Sequence, residues 1–157
     1  MKWVNPPVAY MLHAGVPRLL DAGVELPGLY IPPANHGAAS RSHHRVALEA
    51  YPGLLARETL GRRSYKSDDK AKQTVDRLIA RKDLVTALEA AQTRLGLRLK
   101  MTHAQRDAVV DDASGDALDA VLCLVQVAWG QQHYAKGDPL YGLPKDMDRL
   151  EGWILSA

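Results

Sequence analysis

The segment from Asp116 to about Tyr134 constrains the fold most strongly, because it has a helical pattern that is apolar on nearly every face. Its apolar residues are Leu118, Val121, Leu122, Leu124, Val125, Val127, Ala128 and Trp129. A helix with this pattern must be covered on most sides by other elements, so we predict a largely buried helix. Residues 117–129 are too few to cross a bilayer and include Asp119, which predicts a soluble protein with no membrane partner.

Charge is distributed unevenly along the chain. Residues 57–100 contain 12 basic and 6 acidic residues, whereas residues 101–157 contain 4 basic and 9 acidic residues. The basic segment would attract polyanions, and the acidic segment concentrates carboxylates that can hold metal ions. This distribution is typical of an enzyme that acts on phosphodiesters. Two solvated surfaces of opposite charge are the alternative interpretation.

Length and cysteine content limit the class of protein. The 157 residues predict a single domain that spans residues 1–157 and buries a core of its own. Cys123 is the one cysteine, which excludes an internal disulfide framework and a metal site built from several cysteines. The N-terminus lacks the basic-then-apolar pattern of a signal peptide. Together these features predict a cytoplasmic protein.

Apolar periodicity and capping residues predict a helix-rich chain. The predicted helices cover residues 8–21, 54–60, 69–95 and 116–134, with a short helix after the capping-box residues Thr102 and Gln105. Pro17 favours two short pieces in the first helix, and a shifted apolar stripe favours a break or bend near Arg81 in the third.

Two apolar runs predict strands, and one long segment predicts a surface loop. Residues 46–51 form a short apolar run that a Pro-Gly turn ends, which predicts a buried strand, and residues 97–99 predict a second short strand. Residues 27–44 have no period and predict a loop, which contains His36, His43 and His44. A metal role for these histidines has little support, because no other ligand lies nearby at suitable spacing.

Three carboxylates are candidates for chemistry. Asp116 and Asp119 are three residues apart, so they project from one face at the start of the predicted buried helix. The helix dipole alone would account for Asp116, at about 0.3–1 kcal/mol. Asp119 lies among apolar residues and Glu49 lies in the predicted buried strand, where an ionised carboxylate needs a partner. Either a shared divalent cation such as Mg²⁺ or salt bridges to Lys or Arg would supply one.

Several segments resemble the domain-of-unknown-function 429 family, a set of predicted nucleases with a ribonuclease-H-like fold. Residues 4–20 read VNPPVAYMLHAGVPRLL, and residues 46–68 include VALEAYPGLLAR and GRRSYKSD. Residues 116–123 read DALDAVLC, and residues 151–154 read EGWI. The resemblance implies an α/β fold, here the C-terminal part of a ribonuclease-H-like domain, helix-rich with a small incomplete sheet.

The resemblance also implies site residues and a reaction. Glu49 would be the metal ligand at the end of a strand, and Asp116 and Asp119 would be ligands from the last helix. The implied reaction is hydrolysis of nucleic-acid phosphodiesters by water, with Mg²⁺ or Mn²⁺ as cofactor. The resemblance further implies phosphate binding by Arg62, Arg63 and Lys66 and base stacking by Tyr65. A solvated basic loop is the alternative for those four residues.

The chain also departs from the family pattern at its start. A ribonuclease-H-like fold opens with three antiparallel strands, and the first strand carries an aspartate that is central to metal binding. No such aspartate precedes residue 8 here, so the carboxylate set and the sheet are both incomplete. We therefore expect a shortened family member or a fragment, which either completes its sheet by forming homo-oligomers through the exposed strand edge or is mostly helical. A non-catalytic module that binds nucleic acid or protein is the alternative to a metal-dependent nuclease.

Overall fold

A computed structural model describes residues 6–33 and 45–157 of the chain, and it is helix-rich, as the sequence predicts. In these residues the α-helices are α1 (Pro6–Asp21), α2 (Pro52–Leu60), α3 (Val75–Glu89), α4 (His103–Asp111) and α5 (Asp116–Ala135). A short 3-10 helix covers Lys70–Lys72. No helix within the described ranges has the length and hydropathy needed to cross a membrane.

The first compact unit comprises the described part of Met1–Leu48 together with Lys145–Gly152. It contains α1, which is one helix with Pro17 inside rather than the two pieces that the sequence favours. Its β-structure consists of two isolated bridges, one parallel between Glu25 and Val46 and one antiparallel between Leu26 and Tyr30. Most of the predicted loop at residues 27–44, including its three histidines, lies outside the described residues.

The predicted sheet is absent from the described residues, which corrects the sequence interpretation. Val46 makes a single bridge, and neither residues 47–51 nor residues 97–99 form a strand. Glu49 is exposed, so the burial predicted for its side chain is also wrong. An apolar run forms a stable strand only where a partner strand or a covering helix pairs with it. The strand edge on which the expected self-association depended is therefore missing from this part of the chain.

The second compact unit comprises Glu49–Pro144 together with Trp153–Ala157. Its four α-helices form a ring, in which α2 and α4 each contact both α3 and α5. The ring encloses the core, and its fully buried large side chains include Leu55, Leu84, Val85, Leu88, Leu118, Leu122 and Leu155. Helical packing, rather than a sheet, therefore forms the core of this unit.

Two details of the helices bear on the sequence predictions. α3 is one continuous helix through Arg81, where the sequence favours a break or a bend, and Arg81 is buried. The capping box at the start of α4 is confirmed: the Thr102 hydroxyl accepts from the Gln105 backbone N–H, and the Gln105 side chain accepts from the Thr102 backbone N–H.

α5 is less buried than its apolar pattern predicts. Leu118, Leu122 and Gln126 are inaccessible to solvent, whereas Leu124 is 59% exposed and Val127 is 42% exposed. α2 and α4 cover one side of α5, and the described part of this unit provides no third helix with comparable contacts to cover the other side. The prediction of a largely buried helix is therefore wrong.

Leu155 anchors the C-terminal segment in the core of this unit. It is fully buried, whereas Trp153, two residues earlier, is 43% exposed. The Leu155 N–H donates to the Glu49 carbonyl at 2.8 Å, and the Gln126 side-chain amide donates to the Leu155 carbonyl at 3.0 Å.

Candidate functional site

The loop after α2 brings basic residues to the start of α5. α2 ends at Gly61, whose φ of 63° lies in the left-handed region that glycine adopts without strain. Residues 62–66 then run without regular structure, and the Ser67 N–H donates to the Ala113 carbonyl at 3.2 Å. This contact fixes the end of the loop beside the residues that precede α5.

Gly115 determines how closely the loop approaches α5. It caps the helix with a φ of 79°, and a Cβ at this position would lie 2.6 Å from the Cβ of Lys66. Glycine is therefore required both for the backbone conformation and for the contact. Asp112 supplies the missing cap, because its carboxylate accepts the Ala117 N–H at 2.8 Å.

Tyr65, Lys66 and Asp119 form a hydrogen-bonded cluster. The Tyr65 hydroxyl donates to Oδ1 of Asp119 at 2.5 Å, and the Lys66 ammonium donates to Oδ2 of the same carboxylate. The Asp119 side chain keeps 21% of its surface exposed. Asp119 thus has the partner that its apolar surroundings require, and that partner is a salt bridge, one of the two alternatives that the sequence left open.

The electrostatics of this cluster favour the protonated forms of Tyr65 and Lys66. Burial raises the pKa of Tyr65 above its ordinary value, and the hydrogen bond to the Asp119 carboxylate raises it further. The hydrogen bond to Asp119 also raises the pKa of Lys66, against a smaller opposing effect of desolvation. Lys66 therefore stays cationic and Tyr65 stays a neutral hydrogen-bond donor at physiological pH.

Arg81 supports the cluster from inside the protein. Its side chain is 4% exposed, and its guanidinium donates to the Tyr65 carbonyl at 2.8 Å and to the Val110 carbonyl at 2.6 Å. Val110 lies in the last turn of α4, where carbonyls lack helical partners. Arg81 therefore ties the loop that carries Tyr65 and Lys66 to the helix that precedes α5.

A cleft of about 710 Å³ opens between this loop and α2. It is lined by Tyr51, Pro52, Gly53, Ala56, Arg57, Gly61, Arg62, Arg63, Ser64, Tyr65, Lys66 and Asp119. Four of these residues are cationic and one, Asp119, is anionic. A concave site of this volume is within the range of pockets that hold small ligands or parts of larger ones.

Within the described ranges, two of the four cations have no acidic partner. Arg63 pairs with Asp83 at 2.6 Å, and Lys66 pairs with Asp119. Arg57 and Arg62 are exposed and make no ion pair within 4.0 Å among residues 6–33 and 45–157. The cleft therefore carries a net positive charge, and two guanidinium groups can bind an anion without first releasing a carboxylate.

The predicted carboxylates occupy different surroundings. Asp119 lines the cleft, whereas Asp116 is exposed and accepts from the Ser114 hydroxyl at 3.1 Å. Asp116 is near enough to contribute to the raised pKa of Lys66. Glu49 does not line the cleft. No group of three His, Cys, Asp or Glu residues that could hold a metal ion occurs in the part of the chain that the structure describes.

The predicted binding residues are largely brought together. Arg62, Arg63 and Lys66 all line the cleft. Tyr65 also lines it, but the residue is 7% exposed and its hydroxyl is bonded to Asp119, so its ring has no open face for a base. The phosphate-binding roles stay predictions, and the stacking role does not suit the position of Tyr65.

Sequence reasoning missed two residues of the cleft, Tyr51 and Arg57. Both occur in the EAYPGLLAR segment, which had drawn attention to Glu49 alone. The Tyr-Pro-Gly sequence does indicate where Tyr51 lies, because a proline at the first helical position places the preceding residue at a helix N-terminus. Tyr51 is 46% exposed there.

Comparison with known proteins gave no relative. No protein-family model, no curated protein and no solved structure matches this chain.

The cluster predicts a loss of stability at alkaline pH. Because folding raises the pKa of Lys66 and Tyr65 above their ordinary values of 10.5 and 10.0, the unfolded chain loses these protons first. The two groups therefore contribute fully to the free energy of unfolding below about pH 10, and this contribution decreases as the pH rises further. The Asp119→Asn variant removes the main cause of the Lys66 shift. We expect the difference in unfolding free energy between wild type and this variant to shrink as the pH rises above about 10 in urea titrations. A constant difference would contradict the assignment.

Proposed function

We propose that this protein binds nucleic acid, with the phosphates held in the basic cleft. The observation that carries the proposal is the pair of exposed guanidinium groups of Arg57 and Arg62, which line one concave site and have no acidic partner among the described residues. Arginine binds phosphate through two parallel hydrogen bonds, and its charge persists at every physiological pH. This is the non-catalytic alternative that the sequence left open.

The remaining groups of the cleft favour an anion as well. The N-terminus of α2, at Pro52 and Gly53, lines the cleft, and the positive end of a helix dipole favours negative charge. Arg63 and Lys66 keep their charges while paired, so they add to the long-range potential that attracts a polyanion. A chain of phosphates matches several cations spread along one cleft better than a single small anion does.

Hydrolysis of the bound nucleic acid is a second candidate, favoured by the Asp119 carboxylate that lines the cleft. The described residues do not fit a Mg²⁺ or Mn²⁺ site, however. Both oxygens of Asp119 are already hydrogen-bonded, and Glu49 and Asp116 do not complete a metal-binding group with it. The geometry therefore supports binding better than catalysis.

Binding is tested by titrating the full chain into a 5′-labelled oligonucleotide and following fluorescence anisotropy at several salt concentrations. We expect the Arg57→Gln/Arg62→Gln variant to bind about 10–100-fold more weakly than wild type. Its slope of log K against log salt should be smaller by about 1.4, since each phosphate contact on a single strand contributes about 0.7.

The matched control is the Arg98→Gln/Lys100→Gln variant, which removes the same charge from two exposed residues outside the cleft. An equal loss of affinity in both variants would mean that net charge, not the cleft, determines binding. Failure of the wild type to bind would overturn the proposal. In a parallel assay with Mg²⁺ or Mn²⁺, cleavage by wild type that Asp119→Asn abolishes would establish the second candidate.

A further inference from the structure

We infer that the cleft accepts an unpaired nucleotide, whose base stacks on Tyr51 while its flanking phosphates contact Arg57 and Arg62; this inference rests on the proposed function. It makes the protein selective for single-stranded nucleic acid over a duplex. The residue that carries the selectivity is Tyr51, which lines the cleft beside the unpaired cations.

The ring of Tyr51 is exposed and held in place. The side chain is 46% exposed, and a Cβ on Gly53 would lie 3.1–3.2 Å from its Cζ, Oη and Cε2 atoms, so the ring lies directly against the Gly53 backbone. The Tyr51 carbonyl accepts the Leu54 N–H at 3.0 Å, which fixes the residue at the start of α2. An aromatic ring braced by backbone in this way offers a stacking surface at little entropic cost.

The other aromatic ring of the cleft cannot provide this surface. Tyr65 is buried, and its hydroxyl is committed to Asp119. Tyr51 lies close enough to Tyr65 to contribute to its raised pKa. Tyr51, which is exposed, is therefore the stacking platform of the cleft.

The shape of the cleft favours a single strand. Its volume of about 710 Å³ suits one or a few nucleotides rather than a double helix. Bases in a duplex are stacked and paired inside the helix, where a tyrosine in a cleft has no access to their faces. Stacking on aromatic side chains with phosphates on nearby cations is the usual way in which proteins bind single strands.

The test compares three ligands of equal length with the full chain at one salt concentration: a single strand, its duplex and an abasic strand that keeps the phosphates and lacks the bases. We expect wild type to bind the single strand about 5–100-fold more tightly than the abasic strand. Tyr51→Leu should abolish this difference and leave the affinity for the abasic strand unchanged, whereas Tyr51→Phe should retain it.

Tyr134→Leu is the matched control, because Tyr134 is 42% exposed, does not line the cleft and stacks on Tyr141. It should retain the preference for bases. Equal wild-type affinity for natural and abasic strands, equal or tighter binding of the duplex, or a preference that survives in Tyr51→Leu would each overturn the inference. In those cases the proposed function still stands if the Arg57→Gln/Arg62→Gln variant binds more weakly than wild type. If no ligand binds to wild type, both fail.

Discussion

Replacing Leu155 with alanine should lower the free energy of unfolding by about 2–5 kcal/mol, the range for large-to-small substitutions in a packed core. Leu155 is inaccessible to solvent although it lies only two residues before Ala157. Its Cδ atoms would lie only 3.2–3.3 Å from a Cβ on Gly130, so the side chain packs closely against the backbone of α5. Chemical denaturation of the full chain measures the effect.

The matched control is Leu150→Ala, since Leu150 is 95% exposed and lies in the same part of the chain. It should change the unfolding free energy by less than about 0.5 kcal/mol. Equal effects of the two substitutions would show that Leu155 is not part of the core. The control matters because it separates burial from the general cost of shortening a leucine.

The contact with Gly130 adds a second, independent check. Gly130→Ala adds a methyl group that would lie only 3.2–3.3 Å from the Leu155 side chain and from the Tyr141 carbonyl oxygen. This crowding should lower the free energy of unfolding by about 1–3 kcal/mol. In the double variant with Leu155→Ala the space of the lost side chain relieves part of this clash. We therefore expect the double variant to lose less free energy of unfolding than the sum of the losses in the two single variants.

The helices were predictable from the sequence because their determinants are local. The capping box at Thr102 and Gln105 and the apolar periodicity of Asp116–Ala135 depend on residues within a few positions of one another. The burial of α5 was not predictable to the same degree. Whether Leu124 is covered depends on where the other helices pack, and no local pattern encodes that.

The predicted sheet failed for a related reason. An apolar run at residues 46–51 is compatible with a strand, but pairing depends on a distant segment, and only Val46 finds a bridge partner, in Glu25. The resemblance to a fold that contains a sheet added weight to an ambiguous pattern. The described chain uses helix packing instead.

The candidate site was predicted in part. The GRRSYK segment pointed to Arg62, Arg63 and Lys66, which line the cleft, because a dense basic loop is visible in sequence. The partner of Asp119 was not visible, because Lys66 lies 53 positions away. An aspartate that lies among apolar residues in the sequence indicates that its carboxylate has a partner. The sequence alone does not tell whether that partner is a lysine or a metal ion.

Arg81 is the residue whose replacement should affect the fold and the cleft together. Arg81→Met keeps the side-chain length and removes both donors, leaving the carbonyls of Tyr65 and Val110 buried without their partner. Each unsatisfied carbonyl costs about 1–3 kcal/mol, so we expect the unfolding free energy to fall by about 2–5 kcal/mol. Chemical denaturation measures this loss.

Lys82→Met is the matched control for Arg81→Met, because Lys82 is the next residue of α3 and is exposed. It removes the same charge and should change stability by less than about 0.5 kcal/mol. Because Arg81 holds the backbone of the loop that carries Tyr65, its loss should also weaken nucleic-acid binding under conditions where the variant remains folded. A stable Arg81→Met variant with unchanged affinity would show that the loop holds its position without Arg81.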